Sequence, residues 1–162
     1  MRKSPTSAPF PKIGEGKRGI AGYLGYLLRQ AGAAYRLRME HALSDLGVTP
    51  PQFSVLTMLV AYPGLSNADL ARLSLLTPQT VSVIVANLER SDRITRRPHA
   101  IHGRIQHLDV TAVGKRLLAK CRLRVHALER QLAAEISPEQ EQAIRHWLVS
   151  VATEHIEPVE GK

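Results

Sequence analysis

The chain has a single cysteine, Cys121, among its 162 residues. One thiol excludes an intrachain disulfide framework and fits a reducing compartment. No apolar run approaches the length needed to span a bilayer, and the first residues lack the long apolar stretch of a signal peptide. The expectation is a cytoplasmic protein with no membrane partner. Acid is scarce relative to base, 14 Asp+Glu against 22 Lys+Arg, for a formal net charge of +8. That excess suits nucleic acid, an acidic membrane surface or an acidic protein equally well, so it decides nothing alone. Catalytic signatures are missing too. The seven histidines, His41, His99, His102, His107, His126, His146 and His155, form no HExxH and no close Cys/His set. His99, His102 and His107 are neighbours in sequence but carry no paired carboxylate or thiolate, and a solvated basic turn is the simpler reading. There is no glycine-rich phosphate loop, and no Ser or Thr stands with a His as a nucleophile would. Neither enzymatic activity nor a metal or other cofactor is expected.

What is present is a succession of capped helical patterns. Residues 1–20, MRKSPTSAPFPKIGEGKRGI, are rich in Pro, Gly, Ser and Lys and read as a flexible arm. From about Gly22 to Leu46 a helix is predicted, because Leu24, Leu28, Ala31, Tyr35, Met39, Ala42 and Leu46 recur at helical spacing until Gly47 stops it. Thr49, Pro50 and Gln52 then form a capping box ahead of FSVLTMLV. Tyr62-Pro63-Gly64 ends that segment. Ser66 with Asp69 caps the next, and Thr77 followed by Pro78 caps the one after it. From Ile94 the period changes: ITRRP and RIQHLDV are short, partly alternating runs on either side of HAIHG, the pattern of a hairpin. Thr111 caps a long helix with Leu117, Leu118, Cys121, Val125, Leu128, Leu132 and Ile136 on one side. Ser137 to Gln140 repeats the capping box before Ile144, Leu148 and Val151.

The stretch SNADLARLSLLTPQTVSVIVANLE suggests two short helices crossing at a steep angle. Ala71 and Val81 supply the small and apolar surfaces such a crossing needs, while Gln79, Thr80, Ser82, Val83 and Asn87 are left to point outward. Thr77 and Pro78 leave unpaired backbone N–H groups at the second helix's start, a seat for a phosphate. A helix-turn-helix fits this pattern, and so does any pair of core helices. The flanking charge favours the first. Between Arg90 and Arg104 stand Arg90, Arg93, Arg96, Arg97 and Arg104 with one acid, Asp92. A hairpin carrying only positive charge beside a reader helix is expected to lie over phosphates, with Arg104 able to enter a minor groove.

These stretches together resemble the multiple-antibiotic-resistance regulator (MarR) family of winged helix-turn-helix transcription factors over roughly residues 22–155. The resemblance rests on GVTPPQFSVLTML, on LSNADLARLSLLTPQTVSVIVANLERSDRITRR, on Gly103-Arg104, and on DVTAVGKRLL, which is similar to the LTxxG that opens the family's long fifth helix. It implies a mainly α fold with a small β-hairpin wing. Pro78, Gln79, Thr80, Ser82, Val83 and Asn87 correspond to the reader surface, and Arg96, Arg97 and Arg104 to the wing. Asp92-Arg93 stands where the family often has Gly-Leu. His102 stands where an Asp commonly orients the wing arginine, and becomes a DNA-facing candidate in its own right.

The apolar stripes of the terminal helices exceed what a small winged domain can bury. Either a second copy covers them or they form intrachain core; the resemblance implies the former, a two-fold homodimer interlocked through the first and last two helices. Residues 21–48 and 111–158 are then dimerisation helices, and 49–110 the DNA-binding region. Two reader helices about 34 Å apart imply a pseudopalindromic, inverted-repeat site in double-stranded DNA of roughly 16 to 20 base pairs. The resemblance further implies a repressor released by a small aromatic or phenolic effector, for which Tyr26, Arg29, Tyr35 and Phe53 are the candidate contacts. The alternative is an architectural or protein-interaction winged-helix module without effector control.

Overall fold

The computed structural model describes residues 12, 15, 19–98 and 106–153. The arm read at residues 1–20 falls almost wholly outside them. Six helices and one hairpin follow in order: α1 Leu24–Leu43, α2 Pro50–Ala61, α3 Asn67–Ser74, α4 Pro78–Arg90, β1 Ile94–Pro98, β2 Gln106–Val110, α5 Ala112–Ala133 and α6 Pro138–Thr153.

Helix boundaries follow local chemistry. The first helix is shorter than the periodicity predicts, since Ser44–Leu46 tightens into a 3-10 turn before Gly47 takes up φ 60°. That left-handed conformation suits a residue without a Cβ and ends the helix. Thr49 caps α2 through the reciprocal bonds of a capping box, Gln52 N–H to Thr49 Oγ1 and Thr49 N–H to Gln52 Oε1. Ser66 and Asp69 do the same for α3. Thr111 accepts from Gly114 N–H at 3.0 Å to open α5, and Ser137 and Gln140 exchange bonds ahead of α6. Each cap satisfies donors that a helix start leaves unpaired, a contribution of about 1 kcal/mol.

Two apolar clusters hold the chain together. The larger joins Val55, Leu56 and Leu59 of α2 to Leu70 and Ala71 of α3, Val81, Ile84, Val85 and Leu88 of α4, Ile94, Leu108 and Val110 of the hairpin, and Leu118 of α5. The smaller gathers Met39 and Leu43 of α1, Val48, and Cys121 and Val125 of α5. Phe53 packs against both and bridges them. The α1 and α5 stripes are therefore buried only in part: Met39, Leu43, Leu118, Cys121 and Val125 are covered, but Leu24 is 69% exposed and Leu132 is also open. Helix α6 buries nothing within the chain.

The strands pair antiparallel with Ile94 opposite Val110, Arg96 opposite Leu108 and Pro98 opposite Gln106. Leu108 N–H also donates to the Leu65 carbonyl at 3.2 Å, fastening the hairpin to the segment between α2 and α3.

Candidate nucleic-acid interface

Helices α3 and α4 meet through a tight turn. Ser74 Oγ donates to the Leu70 carbonyl, Leu75 adopts φ 52°, and Leu76 N–H returns to the Ala71 carbonyl at 3.1 Å. The chain then reverses into Thr77, whose Oγ1 accepts from Thr80 N–H at 3.1 Å, and Pro78 fills the first helical position. Ala71 and Val81 are both buried, as expected for the close approach of two crossing helices.

Because Val81, Ile84, Val85 and Leu88 all turn inward, the opposite face of α4 is fixed by the helical period. Gln79, Thr80, Ser82 and Val83 are exposed there. Two of these have intramolecular bonds: Thr80 Oγ1 lies 2.8 Å from Thr77 Oγ1, and Ser82 Oγ donates to the Pro78 carbonyl at 2.9 Å. Gln79 makes no such bond among the described residues, so its amide keeps its hydrogen-bonding capacity. Val83, 56% exposed, offers an apolar contact midway along the face. Asn87 differs from expectation. It is half-buried, and its Oδ1 accepts from Arg90 Nη1 at 3.1 Å.

The hairpin does not carry positive charge alone. Arg96 Nε bonds Glu89 Oε2 of α4 at 3.0 Å, and Arg97 pairs with Asp109 across the strands. The acids that answer the arginines, Glu89 and Asp109, flank the stretch from Arg90 to Arg104 in sequence. Asp109 is held below the usual carboxylate range, chiefly by its bond to Arg97 against a partial desolvation. Arg97 remains mostly exposed despite the pair, so its guanidinium stays on the surface. Arg93 turns elsewhere, donating to the Gly47 carbonyl at 2.9 Å. His102 and Arg104, expected at the turn of the wing, lie outside the described residues.

The four effector candidates lie on two helices, Tyr26, Arg29 and Tyr35 on α1 and Phe53 on α2. Tyr26 and Arg29 form a cation–π contact, 5.4 Å from guanidinium carbon to ring centroid. Tyr35 donates its hydroxyl to Glu129 of α5, and burial with that carboxylate beside it pushes its pKa up to about 12. Tyr35 and Phe53 pack on the smaller cluster. A cavity of about 490 Å³ opens beside α1, between Leu24, Leu28, Ile144, Trp147 and Leu148. Cys121 is fully buried, and burial raises its thiol pKa. No group of three or more His, Cys, Asp or Glu able to hold a metal occurs among the described residues, and no helix there is long and apolar enough to cross a membrane.

Comparison with known proteins agrees with this geometry. Residues 46–105 match the MarR family model. An HTH-type transcriptional repressor of Mycobacterium tuberculosis, Rv2887, is 34% identical over 131 residues, covering 81% of this chain and 94% of the relative. The chain belongs to the MarR family. Its fold is the MarR winged helix-turn-helix, with α3–α4 as the helix-turn-helix and β1–β2 as the wing, in a homodimeric, sequence-specific DNA-binding regulator. A Staphylococcus aureus MepR–DNA complex superimposes with a TM-score of 0.75 at 25% identity, covering 81% of this chain and 97% of that one. CouR of Rhodococcus jostii RHA1 bound to p-coumaroyl-CoA also gives 0.75, at 23% identity over 83% of this chain and 94% of that one, a likeness of fold. In this MarR chain, the residues that sequence reasoning missed are Glu89 and Asp109, whose positions opposite arginines only the packing of α4 and the strands reveals.

Proposed function

We propose that this protein is a homodimeric repressor that binds a pseudopalindromic operator and is released by a small aromatic or phenolic effector. The observation that carries the DNA-binding reading is the bare outer face of α4, polar at its first turn and flanked by the hairpin. In this reading Thr77 and Pro78 open α4 onto a phosphate, with the backbone N–H of Gln79 as the donor. Gln79, Thr80, Ser82 and Val83 face base edges, and Asn87 adjusts the helix's far end. Arg96, Arg97, His102 and Arg104 follow the backbone from the wing, Arg96 and Arg97 exchanging a carboxylate for a phosphate as they dock.

Residues 49–110 act as the DNA-binding region, with 21–48 and 111–158 as dimerisation helices. The apolar residues around the 490 Å³ cavity, Leu24, Ile144, Trp147 and Leu148 among them, are the surface a second copy covers. Tyr26, Arg29, Tyr35 and Phe53 are the effector contacts of this reading. The p-coumaroyl-CoA bound by CouR supports an aromatic effector class.

Selection from randomised duplex DNA followed by footprinting tests it. A regulator recovers one inverted repeat and protects roughly 16 to 20 base pairs, as two reader helices one helical turn apart require. Broad coating of DNA without a recovered repeat identifies an architectural module instead. Sedimentation of a chain lacking residues 137–162 checks the dimer: monomer or aggregate is expected, and a soluble dimer contradicts the assignment of α6.

A further inference from the structure

A second hollow, of about 390 Å³, lies between the turn after α4 and the first half of α5, lined by Ser91, Arg93, Val113, Arg116, Leu117 and Lys120. We propose that it is a binding site for the phosphate or polyphosphate group of a small molecule.

Charge is the first argument. Three of the six lining residues are cations and none is an acid. Some arginines elsewhere on the surface pair with nearby carboxylates, Arg36 with Glu40, Arg72 with Asp69 and Arg145 with Glu141, while Arg38 and Arg130 have no ion pair among the described residues but stand apart from the lining cations of this hollow. Further along α5, Arg124 pairs with Asp45 at 2.9 Å, while Arg122 has no ion pair among the described residues. Among the described residues Arg93, Arg116 and Lys120 have no ion pair. Arg116 and Lys120 are four residues apart on one helix, where like charges repel, and Arg93 adds a third charge from a different element. A multiply charged anion relieves that repulsion better than a single carboxylate, and guanidinium groups match the oxygens of a phosphate by paired N–H donation.

Geometry is the second. Arg93 is not a free surface arm, because its Nη1 donates to the Gly47 carbonyl at 2.9 Å and fixes the head group. Its remaining N–H groups keep their donor capacity. Val113 and Leu117 provide an apolar wall for the carbon body of a ligand, and the volume suits a small molecule. The hollow is also separate from the reader surface. Gln79 stands in the first turn of α4 and Arg93 beyond its last, about 20 Å along the axis at the rise of an α-helix.

Position gives the site a consequence. Arg93 N–H donates to the Leu88 carbonyl of α4 at 2.9 Å, and the Arg93 carbonyl accepts from Thr111 N–H at 3.1 Å ahead of α5. A ligand held by Arg93 therefore bears on the joint between the reader helix, the wing and the long helix. That consequence rests on the regulator reading above; the binding itself does not.

The test is calorimetric titration of the full chain with inorganic pyrophosphate at constant ionic strength. One saturable site per chain is expected, at least ten-fold weaker in the R116A/K120A double variant and unchanged in R38A/R130A, which removes equal charge from exposed positions elsewhere. Thermal melts by circular dichroism verify that both variants fold, and R116Q/K120Q repeats the measurement should the alanine pair unfold. Absence of a saturable site, or equal weakening in both double variants, overturns the proposal. A third measurement separates DNA from a small ligand: without pyrophosphate, R116A/K120A should keep the wild-type slope of DNA affinity against salt. A slope lower by about two would assign these cations to DNA phosphates and overturn the site. Failure to recover any operator, with pyrophosphate binding intact, would count against the regulator reading and leave this site standing.

Discussion

Gly114 sits directly beneath the main-chain carbonyl of Arg93. A Cβ at this position would overlap that oxygen and lie 2.7 Å from Val110 Cγ1. The same carbonyl accepts from Thr111 N–H, and Thr111 Oγ1 donates to the Asp92 carbonyl at 2.7 Å while capping α5. The start of the long helix is thus pressed against the end of the reader helix, and the obstacle is backbone that cannot swing aside. Gly114→Ala should cost about 1–3 kcal/mol or more, the range for overpacking. Urea denaturation checks this, and an unchanged midpoint would show that the two elements separate freely.

Leu75 should be replaceable with profit. It holds φ 52° in the turn between α3 and α4 and is 80% exposed, so its side chain gains little from burial. A left-handed backbone costs a β-carbon-bearing residue roughly 1–2 kcal/mol, and asparagine tolerates it better. Leu75→Asn is expected to raise stability by about 0.5–1 kcal/mol. A lower melting temperature would mean that Leu75 packs against something in the assembled protein.

Asp69 makes stability sensitive to acid. Hydrogen bonds from Ser66, side chain first and backbone second, hold its carboxyl below the usual range. A depressed folded pKa means stabilisation that is present above the unfolded value, about 4, and lost as pH falls through the folded value. The stability difference between wild type and Asp69→Ala should therefore shrink between pH 5 and pH 3. A constant difference across that range would show that the carboxylate charge does not contribute.

Tyr35 works in the opposite direction. With its pKa raised to about 12, its contribution is complete below the unfolded value of about 10 and is lost as pH rises through 12. Ultraviolet titration should show one phenol ionising near 12 that is absent from Tyr35→Phe. Glu129→Gln should bring that transition part of the way back, since burial is the largest single cause and the hydrogen bond and charge of Glu129 add to it. Superimposable titrations of wild type and Tyr35→Phe would contradict the assignment.

Gln79 is the reader residue to test first, because its amide is unengaged in the first turn of α4. Gln79→Ala should reduce discrimination between operator and scrambled duplex by about 1–3 kcal/mol while sparing non-specific affinity. Fluorescence anisotropy on both duplexes measures this. Equal losses on the two would make Gln79 a backbone contact.

The sequence by itself determined the helix starts. Thr49, Ser66, Thr77, Thr111 and Ser137 each act on a backbone N–H three residues away, a distance the covalent chain enforces whatever the rest of the molecule does. It determined the buried face of α4 for the same reason, since the helical period leaves Gln79, Thr80, Ser82 and Val83 outside once Val81, Ile84, Val85 and Leu88 go in. Only the tertiary structure decided that Arg96 answers Glu89 and Arg97 answers Asp109, that Phe53 joins two cores, and that Gly114 must lie under Arg93. These are relations across elements, fixed by how a helix and a hairpin pack, and their distances have no counterpart in sequence spacing. The stripes of α1, α5 and α6 mark the same boundary: their periodicity is legible residue by residue, but which part is covered within the chain depends on the volume of a core that one subunit alone can build.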